Sequence, residues 1–170
     1  MSIELRLLKA NENDYNLLYK WYHNPKVYTY FEQRIPTYEE IVTKYSQRTN
    51  IDSKTPVYII ECENNPVGII QYTKLTNETK KAYGIVEDGY EIDIFIGEEG
   101  YYHKGIGTIA IKKIIDKLKK GNIVLVVVPE KENINATECY KKVGFEIYKE
   151  ISEANTIGII KDKLVMIYNR

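Results

Sequence analysis

Residues 101–108, YYHKGIGT, place two glycines one residue apart behind a lysine, where an apolar helical pattern begins. A glycine inside a helix costs about 1 kcal/mol relative to alanine, so this pairing implies close approach of something to the backbone. Amides in the first turn of a helix lack intrahelical partners, and the helix dipole adds partial positive charge there. With the Lys104 ammonium, the Thr108 hydroxyl and no Cβ at Gly105 or Gly107, the segment reads as a phosphate cradle. It is neither a P-loop, which needs GxxxxGK[ST], nor a dinucleotide fingerprint, which needs a third glycine; a plain structural turn is the other reading. A second group stands just upstream. In 90–98, YEIDIFIGE, Ile92, Ile94 and Ile96 alternate with Glu91, Asp93 and Phe95. Aspartate suits a strand interior poorly. Asp93 is therefore either a working carboxylate or a charge on a solvated face or in an ion pair. Asn133 reads as a helix cap and Tyr140 as an aromatic on a helical stripe.

These groups need elements to position them. Ile3, Leu5 and Leu7 alternate as a strand, and Leu17, Leu18, Trp21 and Tyr22 give 11–23 helical spacing, stopped by Asn24-Pro25. Thr37-Tyr38-Glu39-Glu40 is a capping box opening a second helix. Strands follow at 56–62 and 67–75 around the turn Asn64-Asn65; 76–90 is polar and reads as a loop. After the strand at 90–97 comes an amphipathic helix over 108–120, with Ile111, Ile114, Ile115 and Leu118 on one stripe and Gly121 as its stop. The apolar run 123–128 is a strand covered on both faces. Asn133 or Asn135 caps a helix ending at Gly144, and strands at 145–150 and 164–168 close the chain. The expectation is an α/β (α+β) domain: one mixed, mainly antiparallel sheet flanked by helices, spanning 1–170 without repeat or linker.

Charge is balanced, 24 basic against 24 acidic residues, which argues against non-specific binding to nucleic acid. No apolar run is long enough to span a bilayer, and MSIELRLLKA lacks the apolar block of a signal peptide, so a cytoplasmic protein is expected. Cys62 and Cys139 stand singly, without metal-ligand spacing, and no metal is expected.

Two blocks carry a family resemblance. Tyr102-His103-Lys104-Gly105-Ile106-Gly107 is similar to the Q/R-x-x-G-x-G/A loop of the GNAT superfamily of acyl-CoA-dependent N-acyltransferases, with Tyr102 where Gln or Arg is usual. Asn133-Ile134-Asn135-Ala136, with Tyr140 and Gly144-Phe145, resembles its N-x-x-A…Y…GF helix. The element order also matches. The resemblance implies a sheet splayed between its fourth and fifth strands. It implies acetyl-CoA as cosubstrate, with the pyrophosphate on amides of His103, Lys104, Gly105, Ile106, Gly107 and Thr108, the pantetheine arm near Asn133, and Tyr140 beside the thioester sulfur. Backbone groups at Ile94, Phe95 and Ile96 would hold the thioester oxygen.

The stretch DIFIGE with KGIGT, and Leu18-Tyr19-Lys20-Trp21…Val27, resemble more narrowly the aminoglycoside 6'-N-acetyltransferases, in particular the acetyltransferase half of bifunctional aminoglycoside-modifying enzymes. That likeness implies Asp93 as general base, since a 6'-ammonium must lose a proton before it attacks a thioester. Tyr140 would protonate the leaving thiolate, with no acyl-enzyme; Cys139 has no base beside it. A polycationic acceptor calls for carboxylates. The candidates are Glu87, Asp88, Glu91 and Glu98, with Tyr83, Tyr90 and Trp21 as packing surfaces. These relatives carry Asp-Pro where this chain has Val128-Pro129. Other amine acceptors, such as polyamines, amino acids or protein amines, remain open, as does a CoA-binding domain without turnover. The partner expected is a small-molecule amine, and the protein a monomer or homodimer.

Overall fold

Side chains mark where the helices begin. In the computed structural model, which describes residues 1–168, Asn11, Asn24, Thr37, Thr76 and Asn133 each accept a hydrogen bond from a first-turn amide. Such a cap is worth about 1 kcal/mol. They open α1 (Glu12–Tyr22), α2 (Pro25–Tyr28), α3 (Tyr38–Tyr45), α4 (Asn77–Tyr83) and α6 (Ile134–Val143). Both bonds of the capping box at Thr37 and Glu40 are made. The remaining helix, α5 (Ile106–Leu118), starts at Gly105 without a side-chain cap.

The strands are β1 (Ile3–Leu7), β2 (Val57–Cys62), β3 (Asn65–Lys74), β4 (Gly89–Ile96), β5 (Val124–Val127), β6 (Phe145–Ala154) and β7 (Ile160–Tyr168). They form one sheet in the order β1-β2-β3-β4-β5-β7-β6. Only β4 and β5 run parallel, and they pair just over Gly89–Glu91 against Val124–Val126. Gly89 permits that approach: a Cβ there would lie 1.9 Å from the Val124 carbonyl oxygen. Beyond Glu91 the strands part, so the β5-facing edge of β4 carries no strand partner from Ile92 on. The splay expected between the fourth and fifth strands is present.

Alternation decides which helix covers which face. Ile92 is buried with Ile106, Ile111, Ile114 and Tyr140, and Ile94 and Ile96 pack against the same cluster under α5 and α6. Burying each such aliphatic side chain contributes roughly 1.5–3 kcal/mol. Phe95 points the other way, into a cluster with Leu18, Trp21, Tyr22 and Ile69 under α1 and α3. Tyr83 of α4 covers that second face further along, with Val126 and Val165. Asp14 of α1 fixes that layer to β1 by accepting two bonds from the Arg6 guanidinium, at 2.7 and 2.8 Å.

Two expectations need correction, and a third holds with an addition. The stretch read as a loop holds α4, capped by Thr76 and ended by Gly84 at φ +69°; its seven residues bury only Tyr83, so no apolar stripe announces it. Asn24-Pro25 ends α1 but also starts α2, with proline in the first turn, where its missing N–H costs nothing. The last two strands are longer than their apolar parts, because β6 is a sheet edge and tolerates polar side chains.

Candidate active site

A cleft of about 540 Å³ opens where β4 and β5 separate. Its walls come from α2 and the residues after it, the outer half of β4, the loop entering α5, the segment after β5, and α6. Of the catalytic and cofactor residues expected from sequence, Asp93, Ile94, Phe95, Ile96, His103, Lys104, Gly105, Ile106, Gly107, Thr108, Asn133 and Tyr140 all line it. The Phe95 side chain itself turns into the aromatic cluster, 4.9 Å from the Phe31 ring centre and 6.1 Å from that of Trp21.

At one end the α5 N-terminus faces the cleft. Gly105 takes φ +75° and His103 φ +58°, left-handed values that glycine adopts freely and histidine at a cost. The amides of Ile106, Gly107 and Thr108 have no acceptor among the described residues. A Cβ at Gly105 would meet no atom within 4 Å, so the space beside it is open. Gly107 is different: its Cβ would face Cys139 Sγ at 3.6 Å, between α5 and α6. That is ordinary contact distance, so a methyl would fit there and the position does not open space for a ligand as Gly105 does. Thr108 likewise points its hydroxyl at Cys139 Sγ, 3.6 Å away. Tyr102 holds the loop in place through its hydroxyl, which accepts from Asn24 Nδ2 at 2.6 Å, while Lys26 lies 4.5 Å from its ring centre. Uncapped amides, open space at Gly105 and the cation of Lys104 together fit a pyrophosphate. Asn133 spends its carbonyl oxygen on the Ala136 amide, leaving its NH₂ group unbonded among the described residues and in the cleft wall.

Asp93 sits midway along the unpaired edge of β4. Burial raises its carboxyl above the ordinary value; the Gln71 amide, donating at 3.4 Å, and the charges of Lys44, Arg48 and Lys163 oppose that rise. Gln71 is the cross-strand partner of Asp93, and Arg48 Nη1 donates to its carbonyl at 3.1 Å. Sequence reading missed both; the available signal was a lone glutamine in the otherwise apolar run GIIQY. Burial and then the charge of Asp93 raise the Tyr140 phenol, whose hydroxyl has no hydrogen-bond partner among the described residues.

The expected acceptor residues do not assemble there. Trp21 is fully buried, stacked on the Gly97 backbone, where a Cβ would lie 2.2 Å from its ring. Its Nε1 donates to Glu98 at 2.8 Å, and Lys20 donates to the same oxygen at 2.6 Å. Burial alone would raise the Glu98 carboxyl, but those two bonds outweigh it and hold it low. Glu98 is thus engaged as a structural clamp. Tyr83 is buried and donates to Glu91 at 2.8 Å beneath α4; burial and the charge of Asp93 raise the Glu91 carboxyl. Tyr90 packs edge-on to Tyr72, on the opposite face from Asp93. Asp88 pairs with Lys80 at 2.8 Å, and Glu87 lines a separate groove beside Tyr148. Both precede β4, at the end of that strand away from the splay. Two carboxylates not expected from sequence, Glu130 and Glu138, do line the cleft.

Residues 10–153 match the family model described as the GNAT acetyltransferase domain. The chain belongs to the GNAT acetyltransferase family. GNAT enzymes are N-acetyltransferases that use acetyl-CoA, which agrees with the cradle at α5. Among curated relatives, the GNAT chain is 24% identical over 152 residues to spermidine N(1)-acetyltransferase of Escherichia coli K12, covering 87% of this chain and 70% of the relative. Among solved structures it resembles AAC(6')-Ib in complex with ribostamycin and coenzyme A (TM-score 0.77, 21% identity, 100% and 94% of the two chains covered). It also resembles spermidine N-acetyltransferase from Vibrio cholerae in complex with CoA and spermine (TM-score 0.76, 19% identity, 97% and 94% covered). At these identities the structural likenesses establish the fold. Among the described residues, no helix is long and apolar enough to cross a membrane.

Proposed function

We propose that this GNAT enzyme acetylates the 6'-amine of an aminoglycoside by direct transfer in a ternary complex. The observation that carries the transfer chemistry is the placement of Asp93 on the unpaired edge of β4, in one cleft with the uncapped α5 amides and Tyr140. Acetyl-CoA, when bound, supplies an activated acetyl thioester; Gly105, Ile106, Gly107 and Thr108 would hold its pyrophosphate through backbone N–H groups, and Asn133 its pantetheine arm. Asp93 attracts the acceptor ammonium and takes its proton, directly or through a water. Holding both reactants in one cleft supplies much of the rate. The free β4 edge near Ile94, Phe95 and Ile96 offers amides toward the carbonyl oxygen as charge builds there. Tyr140 contributes a hydrogen bond to the departing sulfur. Its phenol is raised above the ordinary 10, and a thiol titrates near 8.5 (approximate reference values), so full proton transfer from Tyr140 is uphill.

The likeness to AAC(6')-Ib and the DIFIGE and KGIGT segments support the aminoglycoside as acceptor. A second reading, a polyamine acceptor, is favoured by the curated and structural likeness to spermidine acetyltransferases and by Val128 in place of the Asp-Pro aspartate. Comparing kcat/KM for kanamycin, a 6'-hydroxyl aminoglycoside and spermidine separates them. The proposal expects turnover with kanamycin to exceed that with the 6'-hydroxyl compound by about a hundredfold, as a site that must pair a reacting amine discriminates strongly against its absence, and to exceed that with spermidine as well. Preference for spermidine would transfer the assignment to polyamines.

A further inference from the structure

Glu130 lies just past the end of β5, in the sequence Val128-Pro129-Glu130. Its backbone is fixed on both sides: Leu164 N donates to the Pro129 carbonyl at 3.0 Å, and Lys131 N to the Asp162 carbonyl at 2.8 Å. Glu130 bridges to Lys163 of β7, and its own carbonyl accepts from the Asn133 amide at 2.9 Å. The residue is 6% exposed, and its Oε1 is fully buried with no hydrogen-bond partner. Nearby cations are committed elsewhere: Lys163 to Glu153 at 2.8 Å, Lys131 to Glu150 at 2.9 Å and Lys161 to Glu132 at 3.4 Å. A buried carboxylate oxygen without a donor is costly, and native proteins seldom keep one that nothing satisfies.

Glu130 lines the same cleft as Asp93 and Tyr140. The described residues give Oε1 no donor, and Glu130 stands in the wall of a cleft that a cationic donor can enter. The phosphates expected at the α5 amides are anionic and lie at the cradle. An ammonium supplies what a buried carboxylate lacks, both hydrogen bonds and opposite charge. With Asp93 on β4 and Glu130 after β5, the two walls of the splay each present a carboxylate.

We propose that Glu130 sets acceptor specificity: it holds a second ammonium of a polycationic amine while Asp93 receives the one that reacts. The inference rests on reading the cleft as an amine-acetylation site, and it identifies the acceptor class as carrying at least two cationic nitrogens. It assigns the acceptor a carboxylate after β5 in a chain that has Val128 where the aminoglycoside enzymes have aspartate.

The test is titration calorimetry of spermine and of kanamycin into the full chain saturated with CoA, for the wild type and Glu130→Gln. Loss of the charged contact weakens binding of the polycation that fits by at least about tenfold, and leaves CoA affinity within about twofold. In parallel, kcat/KM for that polycation falls by about the same factor while that for propylamine stays level. Glu130→Gln should melt no lower than the wild type, since it removes an unpaired buried charge. If it does not fold, Glu130→Asp, which keeps the charge but withdraws it by one methylene, takes its place with a smaller loss expected. Equal polycation affinity in both proteins, or no polycation binding by the wild type, overturns the assignment. So does a loss confined to CoA affinity, which would make Glu130 a pantetheine contact. A binding difference without acetyl transfer to any amine leaves Glu130 as the polycation contact and removes the proposed function instead.

Discussion

Asp93→Asn lowers kcat by roughly 10²–10⁴-fold, the usual contribution of a positioned general base, and leaves CoA affinity unchanged. The side chain keeps its shape and can still accept the Gln71 hydrogen bond, so the cleft stays formed. What disappears is the ability to take a proton. The pH profile separates this from a structural effect. Burial raises the Asp93 carboxyl above the ordinary value, and only its deprotonated form is a base. Wild-type kcat therefore climbs with pH through that raised titration and then levels. In Asp93→Asn the limb is absent, because no carboxylate titrates at that position. Steady-state kinetics across pH, with CoA binding measured by calorimetry, checks both parts; an Asn variant that keeps both its rate and its acidic limb would remove Asp93 from the chemistry.

The second large effect is at the cradle. Gly105→Val weakens CoA binding by roughly 10–100-fold, the range expected from losing a hydrogen bond to a charged group at about 1.5–3 kcal/mol. Gly105 sits at φ +75°, where a side chain costs about 1–2 kcal/mol. Relieving that strain turns the first amides of α5 away from the cleft. A Cβ there meets no protein atom within 4 Å, and Gly105 lies at the cleft and not in the core. KM for acetyl-CoA should rise while KM for the amine and kcat at saturation change little. A KM for acetyl-CoA equal to that of the wild type would reduce the loop to a turn. Gly107→Ala is the internal contrast: its Cβ fits against Cys139 at ordinary contact distance, so a much smaller change is expected.

Local signals carried most of the fold. The isoleucine stripe of α5, the capping box at Thr37 and the unbroken apolar run of β5 are each written within one stretch of sequence, and each element forms there. Helix α4 was not legible because it buries one tyrosine and has no stripe. The cleft residues of β4, the α5 loop and α6 could be named because each lies in a short contiguous motif that resembles one of the GNAT family. The acceptor side could not. Whether Glu98 meets a ligand or Trp21 depends on residues 77 positions apart, and whether Glu91 faces solvent or Tyr83 depends on where α4 lands. Alternation placed Glu91 and Asp93 on one face, but only the splay of β5 leaves Asp93 in the cleft. Gln71 reaches Asp93 through strand pairing, and Glu130 enters the wall because the segment after β5 pairs with β7. Long-range registers of this kind leave no local pattern.

In the proposed reaction acetyl passes directly from the thioester to an amine, with no acetyl group on the protein at any stage. Mass spectrometry of the intact protein and of the small molecules, after mixing with acetyl-CoA in the presence and absence of kanamycin or spermidine, tests it most directly. Direct transfer gives acceptor-dependent thiol release matched by acetyl on the amine, and an unmodified protein in every mixture. An acetylated protein formed before acceptor is added, with Cys139 as the modified residue, would contradict it.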